Sequence, residues 1–119
     1  MKQIQNPRVY ALEERTYRFA KECRDYVRSL PKSISNIEYG KQLIRSSGSV
    51  AANYIEANES ISKKDFSHRV KIARKEIKES SLWLRLSETG ENQAMYEARA
   101  RLIGETIELG KILGAILKR

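Results

Sequence analysis

The side chains in this sequence that could do chemistry are few, and most of them are cationic. The chain has one Cys and one His. Covalent catalysis would need Cys23 and His68 as a nucleophile–base pair. The apolar spacing around Cys23 places it on the buried face of a helix, where a thiol is an inert packing group. His68 reads as a surface residue, and a lone His excludes a His-rich metal site. Glu56 and Glu59 lack the Glu-x-x-His partners of a carboxylate-bridged metal pair. The run from Arg45 to Ser49 (RSSGS) joins Ser and Gly, but without the spacing or the Lys of a phosphate-cradling loop. It also falls inside a helix, where its amides are already bonded. Hydrolase, kinase and oxidoreductase readings therefore lack their groups. The chain reads as a non-enzyme with no cofactor and no metal.

Positive charge remains. The formal net charge is +8 and the pI about 9.7, which points to an acidic partner such as nucleic acid. The surplus is uneven. Arg8 to Lys32 holds seven basic and four acidic residues, and Ile61 to Thr89 holds eight and four. The second and fourth helical segments with their turns balance to zero, and Lys2 adds one. On the first segment Lys21, Arg24, Arg28 and Lys32 form a stripe beside Tyr17. On the third, Lys63, Lys64, Lys71, Arg74, Lys75, Lys78 and Arg85 form an arc. Lys and Arg in such rows displace counterions from a phosphate backbone, and Arg adds bidentate contacts. The bland alternative is a solvated helix face, because Glu76 and Glu79 interleave with the lysines.

Helices must position these charges. A chain of 119 residues suits one domain, 1–119, with one core. The single Cys cannot make an intrachain disulfide. Met1 to Pro7 is polar and unlike a signal peptide, and no apolar run approaches about 20 residues. A cytoplasmic protein without a membrane partner is expected. Apolar residues recur at helical spacing over 9–29, 35–58, 63–87 and 93–117. Asn6 before Pro7 reads as the first cap, Ser35 to Glu38 as a capping box, and Ser62 to Asp65 as a third cap. Pro31 ends the first helix by pushing Leu30 out of the α region. Thr89 to Asn92 is the last turn.

The apolar face of the first helix collects Leu12, Thr16, Phe19, Ala20, Cys23, Tyr26, Val27 and Leu30. In the second, small residues from Ser46 to Ala52 lie between larger ones, which reads as a central packing element where other helices approach closely. Gly104, Gly110 and Gly114 in the fourth carry the same expectation. The third has a second apolar face, Ile72, Trp83 and Leu86, which reads as an anchor for another subunit. No segment alternates with period two. Four long helices with short turns predict an all-α, antiparallel, up-down-up-down four-helix bundle.

LEERTYRFA, LPKSISNIEYGKQLIRSSGSVAANYIEANESISKKDF and HRVKIARKEIKESSLWLRL resemble the bacterial four-helix-bundle proteins encoded in intervening sequences of large-subunit ribosomal RNA genes. These are often labelled ribosomal proteins. The match covers Leu12 to Leu86, and the fourth helix agrees only in general character. The resemblance implies assembly into a ring-like homopentamer. It also implies kinship with the accessory variability determinant proteins of diversity-generating retroelements, basic pentamers that bind nucleic acid and a reverse transcriptase. It supplies no catalytic residues. The expected function is RNA or other nucleic-acid binding through the basic faces. The alternative is a protein-interaction adaptor, for example for a reverse transcriptase.

Overall fold

The computed structural model describes residues 7–119. Its four helices are α1 (Pro7–Ser29), α2 (Ile34–Asn58), α3 (Lys63–Leu86) and α4 (Gln93–Leu117). The described residues contain no strand, as the absence of period-two alternation predicts. The expected Asn6 cap lies outside the described residues.

Each helix touches its two neighbours in ring order, and neither diagonal pair meets. The contacts run antiparallel. On α1 and α2, Val27 lies against Gly40 and Glu13 against Asn58. On α2 and α3, Ser46 meets Ser80 and Asn53 meets Arg69. On α3 and α4, Ile77 lies at Gly110 and Arg74 at Gly114. Short connections leave no other arrangement. The result is a rod of 49 × 22 × 22 Å.

Phe19, Cys23 and Tyr26 from α1 fill the axis with Leu43, Val50 and Tyr54 from α2. Val70, Ala73, Ile77 and Leu84 from α3 and Leu102, Leu109 and Leu113 from α4 complete it. These are the core stripes that helical periodicity picks out. Thr16 is fully buried, and its hydroxyl donates back to the carbonyls of Leu12 and Glu13, 3.0 Å each.

The caps correct one expectation. Ser33, and not Ser35, caps α2, its Oγ accepting from the Asn36 N–H at 3.1 Å. Pro31 keeps the connection extended, so the helix starts earlier than the capping-box spacing suggests. Ser62 caps α3 by accepting from the Asp65 N–H, as expected, and Asn92 caps α4. α3 ends at Leu86, with Ser87 as its C-cap.

Asn36 is freed by this shift for a larger task. It is buried. Its Nδ2 donates to the carbonyls of Pro31 and Glu88, 2.8 Å each, and its Oδ1 accepts from the Glu88 N–H at 2.9 Å. One side chain thus ties the α1–α2 turn to the α3–α4 turn. Gly90 sits in the second turn at φ +68, a left-handed conformation that favours Gly. Beside it Tyr26 and Ser87 share a buried hydroxyl–hydroxyl bond of 2.6 Å.

The small-residue stretch of α2 also needs correcting. Ser46 and Ser47 are buried, but Gly48 and Ala52 face outward. A Cβ on Gly48 would meet nothing within 4 Å, and the same holds for Gly104. The close approach is at Gly40, where a Cβ would come 2.8 Å from Val27 Cγ1. Gly114 is covered by the Arg74 guanidinium at 3.3 Å, and Gly110 has ordinary contact with Ile77 at 3.8 Å.

Candidate nucleic-acid interface

The basic arc of α3 is a continuous ridge. Lys64, Lys71, Arg74, Lys75, Lys78 and Arg85 are all exposed, and their spacing puts them within one helical face. Lys64 to Arg85 spans about 32 Å at 1.5 Å per residue. None of the six forms an ion pair with another described residue. Lys71, Arg74, Lys75 and Lys78 converge on a shallow groove of about 410 Å³, floored by Leu82 and Leu117.

Glu79 lines the groove beside the lysines, yet none of them pairs with it, because Glu76 and Glu79 are both taken by a cation of α2. Glu76 and Glu79 turn towards α2, where Arg45 Nη2 meets Glu76 Oε1 at 3.1 Å and Glu79 Oε1 at 3.0 Å. Glu76 is 8% exposed. The i,i+4 pairing with lysines that the sequence allows is therefore replaced by pairing across helices. A buried carboxylate needs a fixed cation more than an exposed lysine does.

The α1 stripe is weaker. Asp25 Oδ1 accepts from Arg24 at 3.0 Å and lies 4.0 Å from Arg28 Nη1. Lys21 stands 6.0 Å over the Tyr17 ring. Lys32 is exposed in the turn, away from the α3 ridge. Helix α3 thus brings six of the ten candidate cations together, while the four of α1 and its turn lie on the diagonally opposite helix.

The subunit-anchor candidates divide. Trp83 stacks on Tyr39 of α2, ring centroids 5.9 Å apart. Its Nε1 is buried without a hydrogen-bond partner among the described residues. Part of its face packs inside the chain, and the ring as a whole is half-buried. Ile72 is half-buried, and Leu86 is 41% exposed.

Cys23 is fully buried, and burial pushes its thiol up to about 12. A thiol so placed is protonated at neutral pH and a poor nucleophile. His68 is exposed on α3. A concavity of about 490 Å³ lies at the far end of the rod, where residues of all four helices, Leu12, Arg15, Tyr54, Phe66 and Ile116 among them, line it. Arg15 there is held by Glu105 in a two-bond pair of 2.7 and 2.9 Å. The described residues form no cluster of metal-ligating side chains, and no described helix is long and apolar enough to cross a membrane.

Sequence reasoning missed Arg45, which decides the state of the ridge. Its signal was that the positions one turn away on α2 are Lys41, Gln42, Gly48 and Ser49, none of them acidic, which leaves it to reach another helix.

No curated protein matches the chain. A solved structure resembles it: the crystal structure of a protein with unknown function from the S23 ribosomal protein family of Bacteroides thetaiotaomicron. The two are 26% identical with a TM-score of 0.74, over 90% of this chain and 98% of that one. The family model described as 23S rRNA-intervening sequence protein matches residues 10–115. The chain belongs to the 23S rRNA-intervening sequence protein family.

Proposed function

We propose that this protein is a non-enzymatic, self-associating helical bundle of the cytoplasm that binds RNA or other nucleic acid through its phosphates, using the α3 ridge. The observation that carries the reading is the segregation of charge on α3. Its cations face solvent unpaired while Glu76 and Glu79 are held by Arg45. Phosphates are the ligand that a row of unneutralised Lys and Arg best complements. The groove exposes no aromatic platform among its lining residues, so contacts fall on the backbone and carry little base preference. The description of the family by a ribosomal RNA intervening sequence supports RNA as the first partner to test. The ring-like homopentamer implied by the family resemblance would repeat the ridge and bind multivalently.

The test is RNA binding by nuclease-treated, refolded-free native protein at 50 and 200 mM salt. The reading expects binding at the lower salt and a steep loss at the higher. Absence of binding at 50 mM by folded protein would overturn it. A protein partner that survives nuclease treatment in a pull-down would favour the adaptor alternative.

A further inference from the structure

Arg74 of the α3 ridge lies flat against the neighbouring helix α4. A Cβ placed on Gly114 would sit 3.3 Å from Arg74 Cζ, 3.3 Å from Nη2 and 3.5 Å from Nε. Three atoms of one planar group at nearly equal distance mean that the guanidinium meets α4 broadside. Gly is, after Pro, the least favourable residue inside a helix, and Gly114 lies inside α4. The seat of Arg74 is what its missing side chain permits. At Gly104, by contrast, an added Cβ meets nothing within 4 Å.

The seat lies between two shallow grooves along the seam of α3 and α4. The groove of about 410 Å³ reaches Leu82 and Leu117, and a second of about 290 Å³ reaches Ile107, Gly110 and Lys111. Arg74 and Lys78 line both grooves, so they stand on the divide.

One face of the guanidinium is covered, but its edges are unused. Arg carries five N–H donors in the plane of the group. Those of Arg74 have no hydrogen-bond or ion-pair partner among the described residues. Glu79, in the first groove, is held by Arg45 at 3.0 Å. Lys111, in the second, is held by Glu108 at 3.7 Å. A planar fork fixed by packing, with its donors unused, matches two oxygens of one phosphate and loses little freedom on binding.

We propose that Arg74, seated on Gly114, is the phosphate anchor of this surface. It grips one phosphodiester through two N–H groups, and the strand follows the α3–α4 seam with one groove on each side of the anchor. Lys71, Lys75 and Lys78 surround it as point charges. Gly114 is a positioning residue that acts through Arg74. The inference rests on the nucleic-acid reading above and adds α4 as the second wall of the site.

The experiment measures the affinity of the nuclease-treated full chain for a labelled RNA oligonucleotide of mixed sequence, between 50 and 200 mM salt. Arg74→Lys keeps the charge and removes the fork. It is expected to lower affinity about ten-fold, the contribution of one charge-assisted hydrogen bond. The slope of log affinity against log salt should stay as in wild type, because the same number of counterions is released. Gly114→Leu displaces the guanidinium. It should cause a similar loss in the wild-type background and no further loss in Arg74→Gln, since the two positions act as one unit. Gly104→Ala should leave affinity unchanged. Leu favours a helix more than Gly does, so the fold should tolerate Gly114→Leu. Circular dichroism checks this, and Gly114→Ala, with a smaller loss in the same direction, replaces it if the fold fails. RNA binding by wild type that Arg74→Lys leaves unchanged would overturn the anchor and leave the nucleic-acid reading standing. So would a Gly114→Leu loss that persists in full without Arg74. No binding by folded wild type at 50 mM would remove both.

Discussion

Asn36 shows how one residue can fix the ends of a bundle. Its three hydrogen bonds join two turns from opposite halves of the chain. Asn36→Ala should cost about 1–3 kcal/mol, the cost of leaving buried backbone groups unpaired, read as a lower denaturation midpoint. At Ser47, 1% exposed, Leu should overpack the core and cost about 1–3 kcal/mol. At half-buried Ala51 the same change should cost less, because the larger side chain can reach solvent. The buried acids set a pH dependence. Burial raises the Cys23 thiol from 9.0 to about 12, and raises the Tyr26 and Tyr54 hydroxyls from 10.0. The folded state therefore holds these protons more tightly than the unfolded chain. Their contribution is complete below pH 9 and is lost as the pH rises towards 12. Alkaline unfolding curves should show stability falling above pH 9, and Cys23→Ala should flatten the fall. Cys23 and Ser47 lie in core positions that helical spacing makes legible. Asn36 was not legible, because its partners are remote in sequence and its position looked like the inside of a capping box.

At the scale of the helix, α3 was legible as basic but not as free. Spacing alone allows Glu79 to pair with Lys75 one turn away. The partner of Glu76 and Glu79 is instead Arg45, on α2, a contact that exists only once the helices pack. Arg45→Gln should act in two ways. It leaves Glu76, 8% exposed, without its cation, which should destabilise the fold. It also releases both carboxylates to the α3 lysines, which should weaken RNA binding more than removal of one distant charge would. Binding of Arg45→Gln, compared with Arg18→Gln on α1, checks this; equal affinities would count against the charge segregation. The α2 small-residue stretch was misread for a related reason. Periodicity marks small residues but does not say whether the open side faces a neighbour or solvent. Gly40, the true close approach, stands outside that stretch and gave no signal of its own.

At the scale of the molecule, the four-helix architecture followed from periodicity and short turns, and the surface did not. A charge excess on α1 and α3 was visible by counting, yet the two helices differ once folded. Asp25 draws Arg24 and Arg28 together, while the α3 ridge keeps its cations unpaired. The most direct measurement of that difference is the salt dependence of RNA affinity for wild type, Lys71→Glu/Lys78→Glu and Arg24→Glu/Arg28→Glu, taken between 50 and 200 mM salt. Each lost phosphate contact should lower the slope of log affinity against log salt by about 0.7–0.9. The account predicts a clearly shallower slope and weaker binding for the α3 pair, and a smaller change for the α1 pair. Equal effects from the two pairs, or a wild-type affinity that does not change with salt, would contradict it.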